Sequence, residues 1–219
     1  MSANPMRRIG KPDPGAVTRW WWVRHAPVPN PELRCYGQLD KDADCSNAAL
    51  FAAQAKLLPG DAVWYASNLA RAIQTAKALG AAGARQGALA IEPALAEQDF
   101  GQLQGLTYEE LGVSHGENQH YWLIPPARRA PGGESFVDLF DRASAAIQRL
   151  TAAHAGSNIV AVAHGGTIRA ALGLALNLPP EAAVRFETDN VSVTLIEHIE
   201  RADPAHAWRV VFVNRMPHG

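Results

Sequence analysis

The sequence predicts an α/β fold, arranged as a three-layer α/β/α sandwich with a mainly parallel central sheet. Two observations lead to this fold class. Short apolar runs rich in β-branched or aromatic residues alternate along the chain with segments whose apolar residues recur at helical spacing. Turn or helix signals follow each apolar run. Elements that alternate in this way form parallel sheets with helices on both faces.

The first strand and the loop after it open the predicted domain. Thr18–Arg24 contains three consecutive tryptophans and is predicted to be a buried strand. Residues 26–44 contain three prolines and Gly37, so we expect a loop there. A loop of this length in a compact domain is usually functional or disordered. Its position at a strand end favours a function.

A helix, a strand and a second helix follow the loop. Ser46 is predicted to cap a helix that runs to Leu58, where a Pro-Gly pair stops it. Ala62–Ala66 is predicted to be the second strand, and Ser67 or Asn68 to cap the helix after it. The apolar residues of that second helix recur at helical spacing, namely Leu69, Ala72, Ile73, Ala76 and Leu79.

The remaining elements complete the alternation. Leu89–Ile91 is a weak third strand, and Glu134 is predicted to open a helix as a first-turn acid favoured by the helix dipole. Gly156 ends that helix, whose apolar positions are Phe136, Phe140, Ala143, Ile147 and Leu150. The last elements are a central strand, Asn158–Ala163, a helix over 167–176, and two closing strands over 191–196 and 208–213 that could pair as a hairpin.

The chain is predicted to hold one domain. Residues 1–16 are proline-containing and basic, without the apolar core of a signal peptide, and are expected to form a flexible tail. Residues 17–219 are expected to form a single domain. A small insertion over 102–131 is expected to be lid-like and partly helical, with a short helix that starts near Thr107.

Composition excludes several classes of partner. Lys and Arg total 20 and Asp and Glu total 21, so no basic field indicates nucleic acid. No apolar run approaches membrane-spanning length. The two cysteines, Cys35 and Cys45, form neither a disulfide framework nor a zinc pattern. We therefore expect a cytoplasmic protein whose partner is a small molecule, and a homodimer stays open.

Two histidines and two arginines follow predicted strands. Arg24 and His25 end the first strand, His164 follows the central strand, and Arg71 lies in the first turn of the helix after the second strand. A single histidine at a strand end would most often be structural. The carboxyl ends of parallel strands meet at one edge, where α/β folds bind ligands. One guanidinium group can bind two phosphate oxygens at once. The two arginines and two histidines therefore predict a cationic phosphate pocket.

Five segments, in order along the chain, resemble the motifs of the histidine phosphatase superfamily, which also contains the phosphoglycerate mutases. The resemblance covers nearly everything from Thr18 to Val213, and it implies a phosphoglycerate mutase-like fold. Each motif is weak by itself, but five in the right order are hard to explain by chance. The matching residues are Val23-Arg24-His25, Ser67 to Ala76, Leu95-Ala96-Glu97 with Phe100-Gly101 and Gly105, Gly132-Gly133-Glu134-Ser135 with Arg142, and Ala163-His164-Gly165-Gly166.

The resemblance implies a role for each residue of the pocket. His25 would be the nucleophile that attacks phosphorus through one ring nitrogen, while a backbone carbonyl fixes the other nitrogen. Arg24, Arg71 and His164 would hold the non-bridging oxygens. Glu97 would protonate the leaving oxygen and later accept a proton from water. No metal or other cofactor is expected, because the cationic pocket already neutralises the phosphate.

Some positions depart from the family pattern or admit a plainer interpretation. Ala26 stands where the family usually has a glycine, a small change that is expected to preserve the turn. Asn30 matches the loop asparagine only if the loop is one residue shorter, so it is a phosphate contact or an ordinary turn residue. Gly165 is expected to offer a backbone N–H to phosphate at a helix start. Glu97 could instead be a solvated acid in a connecting loop.

Two stretches resemble one branch of the family in particular. Arg24 to Val28 and Cys35 to Asp40 look most like the α-ribazole phosphatases, which implies α-ribazole 5′-phosphate as the substrate. The insertion after Gly105 is too short to match the mutases' long substrate-capping segment, so hydrolysis is favoured over isomerisation. A phosphoglycerate mutase and a non-catalytic phosphate-binding regulatory module stay open as alternatives. The module is disfavoured because all five residues assigned to the pocket are present.

Overall fold

A single six-stranded sheet forms the centre of the molecule. The computed structural model describes residues 15–112, 123–200, 203 and 206–217. In chain order the strands are β1 (Val17–Arg24), β2 (Ala62–Ala66), β3 (Leu89–Ile91), β4 (Asn158–Ala163), β5 (Val193–Ile199) and β6 (Trp208–Arg215). They are arranged in the sheet as β3-β2-β4-β1-β5-β6.

The sheet is parallel over its first four strands and antiparallel at one edge. β3, β2, β4 and β1 pair in parallel, whereas β5 runs antiparallel to both β1 and β6. The predicted mainly parallel sheet and the predicted closing hairpin are therefore confirmed. In the register of β1 and β4, Arg24 lies opposite Ala163, so His25 and His164 leave the sheet side by side. The backbone N–H of His25 donates to the carbonyl oxygen of Ala163 at 2.9 Å.

Helices cover both faces of the sheet, which confirms the three predicted layers. The helices are α1 (Ala48–Ala55), α2 (Ala70–Ala81), α3 (Phe136–Ala153), α4 (Gly165–Leu176) and the short α5 (Pro180–Ala183). Residues of α3 and α4 pack on one face, and residues of α1 and α2 pack on the other. None of the helices within the described residues is both long and apolar enough to cross a bilayer.

The tryptophan run belongs to the core, as its apolar character predicts. Trp20 and Trp22 are completely buried on the face covered by α3 and α4, where their rings stack with centroids 4.9 Å apart. Trp21 points to the opposite face because side chains alternate along a strand, and it packs against Phe212. Burial of Trp20 and Trp22 and partial burial of Trp21 anchor β1 at the centre of the sheet.

The first helix begins one residue after its predicted start and ends three residues before its predicted end. Asn47 is the N-cap, because its side chain accepts a hydrogen bond from the N–H of Leu50 at 3.0 Å. The predicted cap, Ser46, lies just outside the helix. The helix stops at Ala55 rather than Leu58, before the Pro-Gly pair.

The second helix is capped from outside its own sequence neighbourhood. It begins at Ala70, and the residue at the N-cap position, Leu69, makes no capping bond with its side chain. Neither Ser67 nor Asn68 is the cap that the sequence predicted. The carboxylate of Asp40, in the loop after β1, accepts a hydrogen bond from the N–H of Ala70 at 2.7 Å.

The two later helices also differ from prediction at their first residues. Ser135 caps α3 in a capping box, so Glu134 is not a first-turn acid but the residue before the cap. Its carboxylate instead forms an ion pair with Arg142, at 2.6 Å. Helix α4 begins at Gly165 rather than Thr167, which places its first turn directly after His164.

The predicted insertion lies partly outside the described residues, because residues 113–122 do not belong to them. Before that gap, Thr107 and Glu110 exchange hydrogen bonds as at a helix start, but the segment forms only a turn that closes at Gly112. The predicted short helix near Thr107 is therefore absent from 107–112. The lid-like character of the segment stays a prediction, as does the tail, of which only residues 15 and 16 are described.

Candidate active site

His25 is buried at the carboxyl end of β1, and one of its ring nitrogens is already engaged. Its Nδ1 lies 2.7 Å from the carbonyl oxygen of Ala26. Since a carbonyl oxygen only accepts, Nδ1 must carry the proton, and Nε2 retains its lone pair. The φ angle of Ala26 is negative, so the turn does not require the glycine that the family usually has there. His25 is therefore oriented as a nucleophile would be.

Two side chains from other elements hold the backbone around His25. Asn190, in the loop before β5, donates from Nδ2 to the carbonyl oxygen of His25 at 2.7 Å. The hydroxyl of Thr75, on α2, accepts from the N–H of Ala26 at 2.8 Å. It donates in turn to the carbonyl oxygen of Arg71 at 2.6 Å. Thr75 thus links the histidine turn to the arginine helix.

His164 lies beside His25, as the parallel register of their strands requires. The two ring centroids are 5.1 Å apart, and the side chain of His164 is completely buried. Its Nε2 lies 2.6 Å from the hydroxyl oxygen of Ser67, which follows β2. Its Nδ1 is buried and has no hydrogen-bond partner among the described residues. A buried nitrogen without a partner is costly, so this atom indicates a ligand position.

Burial and positive charge keep both imidazoles neutral. Burial lowers the pKa of His25 well below its ordinary value, and the charges of Arg71 and Arg24 lower it further. The pKa of His164 is lowered well below its ordinary value by the same three causes, and by His25 and Arg142. Neutral His25 is the form that can attack an electrophile.

Arg71 is a fully buried cation in the first turn of α2. Its Nη1 donates to the carbonyl oxygen of Leu39 at 3.0 Å and its Nη2 to that of Gly37. The ring of Tyr36 lies 5.0 Å from its Cζ, within cation–π distance. Its Nε is buried without a partner among the described residues. The loop after β1 therefore orients this guanidinium and leaves one donor unused.

Gly37 is required in that loop by both its conformation and its surroundings. Its φ is +40°, in the left-handed region. A Cβ there would lie only 2.9 Å from the carbonyl oxygen of Gln98 and 2.4 Å from the amide oxygen of Gln104. The glycine thus lets the loop approach the segment around Glu97 closely enough to bind Arg71.

Arg24 contributes a third buried nitrogen without a partner among the described residues. Its Nη1 donates to the carbonyl oxygen of Thr188, while its Nε is buried and has no partner within the described part of the chain. The hydroxyl of Thr188 is buried and unpartnered in the same way. A Cβ on Gly165 would lie 3.8 Å from Arg24 Nε, 3.4 Å from that hydroxyl and 3.2 Å from Nη1 of Arg169. The glycine therefore keeps space open beside two unused polar atoms.

Glu97 is held at the start of α4 by its backbone and by its side chain. Its carbonyl oxygen accepts from Gln38 and from Arg142, each at 2.9 Å. Its carboxylate oxygens lie 3.1 and 3.3 Å from the N–H of Gly166, two residues after His164. Glu97 therefore lies in a connecting segment, but its carboxylate is bonded at the first turn of α4, next to His164.

The structure brings six of the seven predicted site residues to one edge of the sheet. Asn30 is the seventh. Its side-chain amide bonds both backbone groups of Arg34, at 3.0 and 2.8 Å, as a turn asparagine does. Its proposed contact with phosphate stays a prediction. The six residues around the pocket are Arg24, His25, Arg71, Glu97, His164 and Gly165.

Sequence reasoning missed several supporting residues. Ser67 begins one of the five segments that resemble the family motifs, but the sequence predicts only a helix cap for it. Asn190 stands in an Asn-Val-Ser sequence that matches a glycosylation sequon but gives no sign of a role beside His25, and nothing in the local pattern marks Thr188 or Arg169. Burial lowers the pKa of Arg169 to about 10, although Glu97 opposes the shift. All four residues act through contacts with distant segments, which local sequence does not encode.

Three buried nitrogens without partners belong to the residues that contact or act on His25, and they determine what the site can do. Nε of Arg24, Nε of Arg71 and Nδ1 of His164 are all buried without partners among the described residues. Such an arrangement suits a tetrahedral oxyanion in contact with a nucleophilic nitrogen. Among the described residues, no cluster of three or more His, Cys, Asp or Glu could hold a metal ion.

Comparison with known proteins gives a matching family model and several curated relatives. The family described as the histidine phosphatase superfamily (branch 1) matches residues 20–211. The glucosyl-3-phosphoglycerate phosphatase of Mycolicibacterium vanbaalenii is 34% identical over 174 residues, which cover 74% of this chain and 76% of that protein. The bifunctional protein Rv2228c of Mycobacterium tuberculosis is 32% identical over 69% of this chain, which spans only 41% of that protein's length.

Solved structures share the architecture. The native structure of mycobacterial glucosyl-3-phosphoglycerate phosphatase Rv2419c has a TM-score of 0.76 at 26% identity, covering 90% of this chain and 99% of that chain. The α-ribazole phosphatase from Shigella flexneri has a TM-score of 0.74 at 23% identity over 92% of this chain and 98% of that chain, which shows the shared fold alone. The chain belongs to the histidine phosphatase superfamily (branch 1).

Proposed function

We propose that this protein is a phosphomonoesterase that hydrolyses a small phosphorylated metabolite through a phosphohistidine on His25. One observation carries the proposal. Three buried nitrogens, on Arg24, Arg71 and His164, lack partners among the described residues, and all three residues act on or contact a neutral histidine whose Nε2 keeps its lone pair. Burying unpaired donors costs free energy unless a ligand satisfies them, and a phosphate group has the charge and oxygens to do so.

The first step transfers the phosphoryl group to the enzyme. Nε2 of His25 attacks phosphorus, so a P–N bond forms while the bond from phosphorus to the ester oxygen breaks. Glu97 donates a proton to the departing oxygen, because an alkoxide is a poor leaving group. Arg24, Arg71 and His164 stabilise the charge on the non-bridging oxygens. The alcohol then leaves.

The second step restores the enzyme. The Glu97 carboxylate accepts a proton from a water molecule, whose oxygen attacks phosphorus as the P–N bond breaks. The bonding electron pair returns to Nε2 of His25, and inorganic phosphate leaves. The same carboxyl therefore acts as acid and then as base. Its bond with the N–H of Gly166 would hold it beside the reacting group throughout.

The natural substrate is proposed from two sources. The motif resemblance favours α-ribazole 5′-phosphate, whereas a 34% identical relative is named a glucosyl-3-phosphoglycerate phosphatase. Both are esters of small hydroxylated compounds. We keep α-ribazole 5′-phosphate as the specific candidate, with phosphoglycerate mutase activity and phosphate binding without turnover as alternatives. Metal independence, the cytoplasmic location and the contact of Asn30 with phosphate stay predictions.

The direct test is labelling of His25. Wild-type protein incubated with a ³²P-labelled phosphoester and stopped in alkali should carry a label that acid removes, as expected of a phosphohistidine. Replacing His25 with Ala should abolish the label. The matched control is His154→Ala, since the ring of His154 contacts Tyr65, with its Nε2 2.8 Å from the tyrosine hydroxyl. Label that persists in the His25 variant would remove this residue as the nucleophile.

An activity assay separates the alternatives. The protein is offered p-nitrophenyl phosphate and 3-phosphoglycerate in parallel, and free phosphate and isomer exchange are measured. Release of phosphate supports the hydrolase, exchange of 3- and 2-phosphoglycerate supports a mutase, and binding without either indicates a regulatory module. A screen of phosphorylated metabolites, including α-ribazole 5′-phosphate, would then identify the substrate.

A further inference from the structure

Ser67 makes the only polar contact that the structure gives to the imidazole of His164 within the described residues. Its hydroxyl oxygen lies 2.6 Å from Nε2, and both side chains are completely buried. Ser67 follows β2, and its own N–H donates to the carbonyl oxygen of Val162 on β4 at 3.2 Å. The serine is therefore fixed to the strand that carries the histidine.

The donors and acceptors at this contact favour one tautomer of His164. The backbone N–H of Leu69 donates to the hydroxyl oxygen of Ser67 at 3.3 Å. A hydroxyl oxygen can accept two bonds, but if Nε2 donated the second one, the buried hydroxyl hydrogen of Ser67 would lack an acceptor among the described residues. That hydrogen therefore points at Nε2. A neutral imidazole that accepts at Nε2 must carry its proton on Nδ1. Nδ1 is the buried nitrogen that lacks a partner.

The surrounding charges favour the neutral form of His164. The guanidinium groups of Arg71, Arg24 and Arg142 all act on it, and together with burial and His25 they hold its pKa well below the ordinary value. A neutral histidine can still donate one hydrogen bond, but only from the nitrogen that carries the proton. The opposite tautomer would direct a lone pair at the bound anion.

We propose that Ser67 is a positioning residue that fixes His164 as the Nδ1–H tautomer, so that neutral His164 donates a hydrogen bond to an oxygen of the bound phosphoryl group. This inference rests on the proposed function, because it needs an oxyanion in the pocket. It assigns Ser67 a role that its place before α2 does not suggest. Helix α2 takes its cap from Asp40 instead.

The test measures the tautomer and the affinity of the pocket separately. In ¹⁵N-labelled protein, long-range ¹H–¹⁵N spectra should show His164 as the Nδ1–H form, its signals assigned from their loss in His164→Gln. Replacing Ser67 with Ala should mix the two tautomers. It should also weaken binding of inorganic phosphate about tenfold or more, as expected for loss of a hydrogen bond to a charged group.

Two more variants keep the test decisive. Ser67→Cys preserves the shape but has a weak donor, so it should resemble the alanine variant even if that variant folds poorly. Ser67→Thr retains the hydroxyl and should restore both the tautomer and the phosphate affinity. The control is Ser144→Ala on α3, whose hydroxyl is buried without a partner in the described part of the chain and should be dispensable for phosphate binding.

The outcomes distinguish this inference from the proposed function. A wild-type His164 protonated at Nε2 would overturn the role of Ser67, even if turnover is normal. Unchanged tautomer and phosphate affinity in both Ser67→Ala and Ser67→Cys would overturn it as well. Absence of phosphoenzyme and of turnover in the wild-type protein would instead overturn the proposed function, whatever tautomer the spectra show.

Discussion

At the scale of single residues, the group that positions Glu97 differs from the group that would react: its backbone carbonyl is held, whereas its carboxyl group would do the chemistry. Arg142 and Gln38 bind its carbonyl oxygen, so the backbone is held without using the carboxyl group. Arg142 itself is oriented by the ion pair with Glu134. The carboxylate is left with backbone N–H groups as its partners, and these tolerate a change of protonation state.

Replacing Glu97 with Gln should slow esters with poor leaving groups far more than esters with good ones. A glutamine keeps the oxygen that accepts from Gly166 but has no proton to donate. The loss should be on the order of 100- to 10,000-fold for alkyl phosphates, the usual contribution of a general acid. Rates are measured across a series of phosphoesters that differ in leaving-group pKa.

The control for this series is Glu92→Gln. Glu92 caps the short 3₁₀ turn Pro93–Leu95 and pairs with Arg149, outside the pocket. Its replacement should leave the dependence of rate on leaving group unchanged. If Glu97→Gln slows all esters equally, another residue must be the acid.

At the scale of elements, the loop after β1 and helix α2 support each other. Asp40 caps the helix, and the carbonyl oxygens of Leu39 and Gly37 bind Arg71 one residue after the capped N–H. A single contact region therefore fixes both the helix start and the direction of the guanidinium. Sequence patterns treat the loop and the helix as independent segments.

Replacing Asp40 with Ala should lower the free energy of unfolding by about 1 kcal/mol, the usual cost of a lost N-cap. It should also weaken phosphate binding several-fold, because the loop that holds Arg71 loses an attachment. Asp40→Asn keeps the acceptor oxygen and should largely avoid both effects. Urea unfolding and phosphate titration measure the two quantities.

The matched control is Asp42→Ala in the same loop. Asp42 is also exposed, but it accepts from the side chain of Gln74 rather than from a helix N-terminus. Its loss should change stability by less than about 0.5 kcal/mol. Equal effects of the two alanine variants would contradict the capping role of Asp40.

At the scale of the whole molecule, the two buried histidines make stability depend on pH. Their pKa values are lowered in the folded state, whereas in the unfolded chain they return to about 6.5. Below that pH the unfolded chain binds protons that the folded protein does not. The contribution of the two histidines to the free energy of unfolding should therefore be fully present above about pH 6.5 and should be lost as the pH is lowered below that value.

Each histidine should contribute at most about 1.4 kcal/mol per pH unit to this slope. Urea unfolding of the ligand-free protein between pH 7 and pH 5 measures the slope. Replacing His25 with Asn should make it shallower by about that amount. An identical slope in the variant would mean that His25 titrates normally and is not held neutral by burial and the two arginines.

Much of this fold was predictable from sequence because its signals are local. The three tryptophans of β1, the helical spacing from Leu69 to Leu79 and the run Asn158–Ala163 each identify one element by period and composition. Helix starts were less predictable. Glu134 and Ser67 look like capping residues but bond to Arg142 and His164, because tertiary contacts compete for the same polar atoms.

The sequence by itself determined the alternating elements, the apolar strands of the core, and the two arginines and two histidines that follow strand ends. Those properties depend on neighbours in the chain. Only the tertiary structure decided which distant groups meet, such as Asn190 with the carbonyl of His25 and Ser67 with His164, 165 and 97 residues apart. Strand order and loop path set these contacts, and neither leaves a periodic trace in the sequence.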